Sequence, residues 1–228
     1  MVSRQVSARK AFAMLEFAAT VFVTFLVIID PVGTLPLFVA LTHRQPKDQR
    51  RLTAIRSIAV AAVTLAVFAV AGQLLLRLLG ITLPAFRIAG GILLLLLSID
   101  MVFARKSGIR WTTAAETEEA EESIDVAVFP LAIPLIAGPG ALTSVILLMG
   151  RAHGDLALQA IVIGLMLLVL ALCLVAFLFA VPLMDRLGVT GINVVDRVFG
   201  VVLAALAVQN VLDGAIEVLT GLPGRSSG

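Results

Sequence analysis

Two apolar segments broken by proline and glycine constrain the fold of this chain more than any other feature. The first contains Asp30-Pro31 and Gly33, and the second, 108 residues later, contains Gly138-Pro139-Gly140. Proline removes a backbone donor and clashes with the preceding turn, and glycine lets the backbone leave helical geometry. Inside a bilayer such a break persists only where protein or water covers the freed polar groups. Paired breaks in two matching halves are typical of a transporter binding site.

The composition indicates an integral membrane protein. The chain is 60% hydrophobic and 14% charged, whereas about 25% of the residues of a soluble domain are charged. Because a spanning helix needs about 20 apolar residues, we predict an all-α protein with six transmembrane segments. They run over 12–41, 57–79, 84–104, 126–149, 156–183 and 194–220. The first and fourth contain the breaks, so we expect broken or re-entrant helices there.

The two halves of the chain repeat each other. Pro31 and Pro139 are 108 residues apart, as are Gly80 and Gly188, and at an offset of 110 Arg87 matches Arg197. Each half holds three spans, an odd number, so the halves enter the membrane in opposite orientation, as in an inverted repeat. We therefore predict one repeat half at 1–110, an acidic cytoplasmic linker at 111–125 and the second half at 126–228.

Lysine and arginine counts predict the orientation in the membrane. The side that carries both termini holds seven of these residues and the other side holds ten. Cytoplasmic loops carry the excess of Lys and Arg, so we expect both termini outside and the two long polar loops inside.

These segments resemble the MarC family of inner-membrane proteins of bacteria and archaea. The resemblance covers about Phe12 to Leu219, and the motifs that carry it are Asp30-Pro31-Val32-Gly33 with Pro36, Arg87-Ile88-Ala89-Gly90-Gly91, Pro130-Leu131-Ala132-Ile133-Pro134, Ala137-Gly138-Pro139-Gly140, and Arg197 with Gly200, Gln209 and Gly214. The resemblance implies six spans and a relationship to transporters of the amino-acid-exporter type. Some members are associated with transport of small neutral amino acids.

Asp30 permits two interpretations. Asp is a good N-cap and Pro a good first-turn residue, so Asp30 can cap a half-helix through backbone amides. Carboxylates inside a membrane are costly and tend to be functional, which favours a proton or cation site instead. At the second break no acid occupies the cap of the half-helix that begins at Pro139, and exposed amides there attract a carboxylate. The alternative is a kink packed with small residues.

The breaks and nearby polar residues together predict one substrate site. Arg87 and Arg197 either extend to the headgroups, pair with Asp30 or Asp196, or hold a substrate carboxylate. Gln209 and Asp213 are four residues apart and share a helix face. The predicted substrate-binding residues are Asp30, Pro31, Gly33, Thr34, Gly138, Pro139, Gly140, Thr143, Ser144, Arg87, Arg197, Gln209 and Asn210.

The function that these features favour is secondary transport of a small polar solute, a neutral amino acid in our interpretation, coupled to protons or sodium. A passive channel or facilitator and a non-transporting membrane partner protein remain alternatives. The chain contains no Walker-type phosphate loop and no catalytic or metal-ligating constellation. We therefore expect no enzymatic activity, no metal, no cofactor and no nucleic-acid partner. Oligomerisation into a homo-oligomer remains open.

Overall fold

The computed structural model describes residues 2–103, 127–152 and 154–220, and every regular element in these ranges is helical. Eight helices follow one another: α1 (Val2–Ile29), α2 (Leu35–Thr42), α3 (Lys47–Leu78), α4 (Leu83–Val102), α5 (Ala127–Ile136), α6 (Pro139–Arg151), α7 (Leu156–Leu178) and α8 (Ala180–Thr220). The predicted acidic linker at 111–125 lies outside the described residues, so the proposed boundaries between the halves stay predictions.

The helices have the length and hydropathy of membrane spans. Within the described ranges, α1, α3, α4, α7 and α8 are each long and apolar enough to cross a bilayer. The pair α5 and α6, bent by 55°, is a sixth candidate when counted as one span. Exposed valines follow one face of α3, with Val63, Val67 and Val70 at 64%, 54% and 77% exposure. Such an apolar surface requires lipid around it, which agrees with the predicted all-α, multi-pass membrane protein.

Prolines account for the irregular path of α5. Phe129 and Ile133 adopt extended backbone angles (φ −128° and −132°), and each directly precedes a proline. The ring of a proline disfavours helical geometry in the residue before it. At the end of α5 the amide of Ala137 donates to the carbonyl of Ala132, five residues back, at 2.9 Å. The fourth predicted segment is therefore two helices joined at a bend, and its path through the membrane stays a prediction.

Three helix starts differ clearly from the prediction. Helix α1 begins at Val2, ten residues before the predicted start at 12. Helix α3 begins at Lys47, about ten residues before the predicted start at 57. The basic stretch after Pro46 is therefore helical, because Lys, Gln and Arg have good helix propensity and Asp48 in the first turn complements the helix dipole. Helix α8 begins at Ala180, but Gly188 with φ 63° interrupts it before the predicted sixth segment.

Helices α4 and α8 pack closely through glycines. A β-carbon on Gly91 would lie 2.8 Å from the carbonyl oxygen of Ala207, and one on Gly214 would lie 2.9 Å from that of Pro84. A β-carbon on Gly200 would lie 2.9 Å from the amide nitrogen of Val102. Small residues that let backbones approach in this way drive helix association in membranes. The pairing runs antiparallel and fixes α8 beside the first half of the chain.

Candidate functional site

The first break is centred on Asp30, which is fully buried and has a positive φ of 46°. Its amide donates to the carbonyl of Leu26 at 3.0 Å, so it completes the last turn of α1. Asp is one of the few residues besides glycine that tolerate left-handed geometry. The combination of this geometry and the following Pro31 ends α1 at Ile29.

The same residue starts the next turn. One carboxylate oxygen of Asp30, Oδ1, accepts the amide of Gly33 at 2.9 Å. The carbonyl of Asp30 accepts both the amide of Thr34 at 3.1 Å and its hydroxyl at 2.9 Å. Acceptance of an amide three residues ahead resembles the bond of an N-cap. Asp30 therefore caps the turn of residues 31–34, whereas the N-cap of α2 itself is Thr34, which makes no side-chain capping bond.

The other oxygen of Asp30 lies beside a second carboxylate. A β-carbon on Gly33 would overlap Asp30 Oδ2 and would lie 2.7 Å from Asp196 Oδ1. Both carboxylates thus meet at the backbone of Gly33, which explains why glycine occupies this position. Asp196 comes from α8 and is partly buried. It is not among the predicted site residues, although an acid near the start of a membrane segment is itself a functional signal.

The second break lies close to the first. Gly138 is extended (φ −74°, ψ 176°) and precedes Pro139, and no side chain caps α6. A β-carbon on Gly140 would lie 3.5 Å from Ile28, two residues before Asp30, and 3.0 Å from Leu94. A cavity of about 300 Å³ adjoins this break and is lined mainly by apolar residues of α1, α4 and α5. The two breaks are therefore neighbours in the fold.

Thr143 has a packing role. A β-carbon on Gly90 would overlap the methyl group of Thr143, which is 4% exposed. The glycine in α4 thereby lets α6 lie against it. Thr143 therefore contacts α4 through its methyl group.

Ser144, Gln209 and Asn210 line a separate polar cavity of about 300 Å³. Two residues that the sequence analysis did not place in the site, Arg151 and Asp213, line it as well. Arg151 Nη2 donates to Asp213 Oδ2 at 3.1 Å, and Gln209 Nε2 donates to Asp213 Oδ1 at 2.6 Å. The shared helix face of Gln209 and Asp213 agrees with their predicted spacing. Arg151 is the last residue of α6, and no feature of the sequence around it indicates its contact with Asp213.

The two predicted arginines have different surroundings. Arg87 Nη1 donates to Glu217 Oε2 at 2.9 Å, and the side chain of Arg87 is 12% exposed. Glu217, near the end of α8, was missed by the sequence analysis. Arg197 is exposed on α8, next to Asp196. The predicted residues therefore fall into groups at the breaks, at the polar cavity and at the α4–α8 contact.

Metal coordination finds no support in the described ranges. Within 2–103, 127–152 and 154–220, no three His, Cys, Asp or Glu residues cluster closely enough to hold a metal ion. The carboxylates of Asp30 and Asp196 supply oxygen atoms that suit a proton or a small hard cation.

Comparison with known proteins supports the resemblance seen in the sequence. The model of the family described as MarC family integral membrane protein matches residues 15–219. A UPF0056 membrane protein of Archaeoglobus fulgidus is 37% identical over 211 residues, which cover 91% of this chain and 96% of the relative. A UPF0056 membrane protein of Methanocaldococcus jannaschii is 38% identical, with 88% and 96% covered. The UPF0056 membrane protein YvbG of Bacillus subtilis is 32% identical, with 91% and 99% covered.

No solved structure matches the chain. The family match and these relatives extend over both breaks and over the α4–α8 pair. The chain therefore belongs to the MarC family of integral membrane proteins.

Proposed function

We propose that this protein is a secondary transporter of a small polar solute, a neutral amino acid, whose movement is coupled to protons or cations. The observation that carries the proposal is the meeting of Asp30 and Asp196 at Gly33, directly after the apolar helix α1 ends. A non-glycine residue held at positive φ costs free energy, and such strain clusters at ligand sites and switches. Buried carboxylates inside a membrane mark ion and proton pathways.

The packing of the helices supports an inverted repeat. At the offset of 108, α1 of the first half corresponds to α5 of the second half, and α3 corresponds to α7. Helix α1 packs against α7, and the equivalent pair, α5 and α3, is also in contact. Helices α3 and α7 are equivalent to each other and pack together, as do α4 and α8. Contacts between equivalent helices are what a two-fold axis that relates the two halves requires. Gly80 and Gly188 occupy equivalent positions and both have positive φ, 69° and 63°. In such architectures one repeat rocks against the other around the substrate.

The solute would lie between the two breaks. Asp30 offers a negative group at one break, and the uncapped N-terminus of α6 offers amides and a positive dipole end at the other. A zwitterionic amino acid suits both ends of such a site. We also propose the cell inner membrane as its location, with both termini outside, and a homo-oligomer is compatible with this arrangement.

Uptake into proteoliposomes tests the proposal directly. We expect radiolabelled glycine or alanine to accumulate when a proton or sodium gradient is imposed, and to equilibrate without accumulation when the gradient is collapsed. Equilibration under both conditions would favour a passive facilitator, and absence of any flux would favour a membrane partner protein without transport activity. Either result would contradict coupled transport.

Gly33→Ala gives a local test of the carboxylate pair. The added methyl group would overlap Asp30 Oδ2 and lie 2.7 Å from Asp196 Oδ1, so at least one carboxylate must move. We expect the initial rate of gradient-driven uptake to fall by about tenfold or more. A tenfold fall corresponds to a rise of about 1.4 kcal/mol in the activation free energy of transport. Gly164→Ala is the matched control, since nothing lies within 4 Å of its β-carbon position. Equal rates in both variants would contradict the role of the pair.

A further inference from the structure

The polar cavity beside Ser144 is separate from the breaks. Side chains from α1, α6 and α8 line it, among them Thr20, Thr24 and Ser144. Thr20 precedes Asp30 by ten residues, which is about 15 Å along a helix. The cavity therefore lies between the breaks and the membrane face where α6 and α8 end.

Ser144 lacks a hydrogen-bond partner in this cavity. It is 3% exposed, and its hydroxyl oxygen is buried without a donor or acceptor nearby. Ser98, which is 1% exposed, instead donates to the carbonyl of Leu95 at 2.7 Å. Serine hydroxyls in helices commonly satisfy themselves on the preceding turn, and an unsatisfied buried polar group costs about 1–3 kcal/mol. A ligand or a water molecule in the cavity would remove that cost.

The cavity also contains both signs of charge. Arg151 and Asp213 form an ion pair at 3.1 Å, and their side chains are 33% and 30% exposed. Arg151 Nη2 also approaches Asn210 Oδ1 at 3.5 Å. Because a guanidinium carries five N–H donors and both contacts use Nη2, Arg151 retains donors for a further anion. A carboxylate retains acceptor sites for an ammonium group in the same way.

We propose that this cavity is a second solute site, which takes a small zwitterion before or after it occupies the breaks. The carboxylate of the solute binds Ser144 and Arg151, and its ammonium group binds Asp213 and Asn210. A solute with only one charge would satisfy one end of the cavity and leave the other end without a partner. This assignment rests on the proposed transport function and adds a second binding step to it.

Thiol labelling tests the site in the full-length protein. Cys173 is the chain's single cysteine, so Cys173→Ala provides a background in which Thr24→Cys reports on the cavity. We expect a membrane-impermeant methanethiosulfonate to label Thr24→Cys. Glycine or alanine should slow labelling by about tenfold at ten times its Kd, by mass action. Ser98→Cys, which is also buried but outside the cavity lining, should resist labelling.

Two further comparisons identify the chemistry of the site. Adding Ser144→Ala should raise the half-protecting concentration of alanine by about tenfold, as loss of a hydrogen bond to a charged group predicts. Propionate and ethylamine, which each carry one of the two charges, should protect at least about tenfold less well than alanine. Equal protection by these monopolar compounds would overturn the zwitterion assignment.

The outcomes separate this site from the transport proposal. Protection without flux would support the site and contradict transport, whereas flux without protection would overturn the site and leave transport standing. Absence of labelling at Thr24→Cys would also overturn the site. If that variant fails to fold, Thr20→Cys is the second reporter, because Thr20 lines the same cavity and is more exposed.

Discussion

Asp30→Asn should abolish solute accumulation against a gradient and leave the protein folded in the membrane. Asparagine keeps an oxygen that can accept the amide of Gly33, the bond that Asp30 Oδ1 makes at 2.9 Å. Asparagine also tolerates the left-handed φ of 46° at this position. The substitution therefore removes the negative charge and keeps both the acceptor for Gly33 and a residue type that tolerates the break.

A charge is what proton or cation coupling requires. With Asp30 neutral, a cation that needs the carboxylates of both Asp30 and Asp196 loses half of these anionic oxygens. We expect solute uptake in Asp30→Asn to stop at equilibration and to become insensitive to an imposed proton or sodium gradient. Proteoliposomes with a fixed internal volume measure the accumulated radiolabel, and circular dichroism checks that helix content is unchanged.

Asp155→Asn is a matched control for this experiment. Asp155 also caps a helix, since its Oδ1 accepts the amides of Ala157 and Leu158 at 2.9 and 3.2 Å, but it is exposed at the start of α7. The chemical change is the same as in Asp30→Asn, but Asp155 lies outside the proposed site. Uptake by Asp155→Asn should therefore match that of the unaltered protein.

Full, gradient-driven uptake by Asp30→Asn would contradict the assignment of Asp30 as a coupling site. Asp30 would then have only the structural role of capping the turn that follows it.

Local sequence signals predicted the parts of the site that depend on neighbouring residues. The breaks at Asp30-Pro31 and at Gly138-Pro139 follow from the restrictions that proline imposes on itself and on the residue before it. The capping bond from Asp30 to Gly33 spans three residues, and the Gln209–Asp213 bond spans four. Contacts of this range follow from helix geometry alone.

Contacts between distant helices could not be predicted in this way. Asp196 meets Asp30, and Glu217 meets Arg87, only because α8 packs against the first half of the chain. Arg151 and Asp213 are 62 residues apart in sequence and come together where α6 and α8 approach. The single predicted site therefore separates into three regions in the fold, at the breaks, at the polar cavity and at the α4–α8 contact, and the sequence carried no signal of that separation.

Gly91→Ala should destabilise the protein, because the close approach of α4 and α8 has no room for a methyl group. The new β-carbon would lie 2.8 Å from the carbonyl oxygen of Ala207 and 3.1 Å from the amide nitrogen of Val211. Both atoms belong to the backbone of α8, so a rotamer change cannot relieve the clash and the helices must move apart. Overpacking of this kind costs about 1–3 kcal/mol.

Gly164→Ala isolates that clash from helix propensity. Both glycines lie inside helices, where alanine is favoured over glycine by about 0.5–1 kcal/mol, but no atom lies within 4 Å of the β-carbon position at Gly164. Thermal unfolding in detergent, followed by circular dichroism, should therefore show a lower Tm for Gly91→Ala and an equal or higher Tm for Gly164→Ala. If the two variants shift Tm in the same direction and by the same amount, backbone proximity does not hold α4 against α8. Asp196 would then need another explanation for its position beside Asp30, since α8 carries it there.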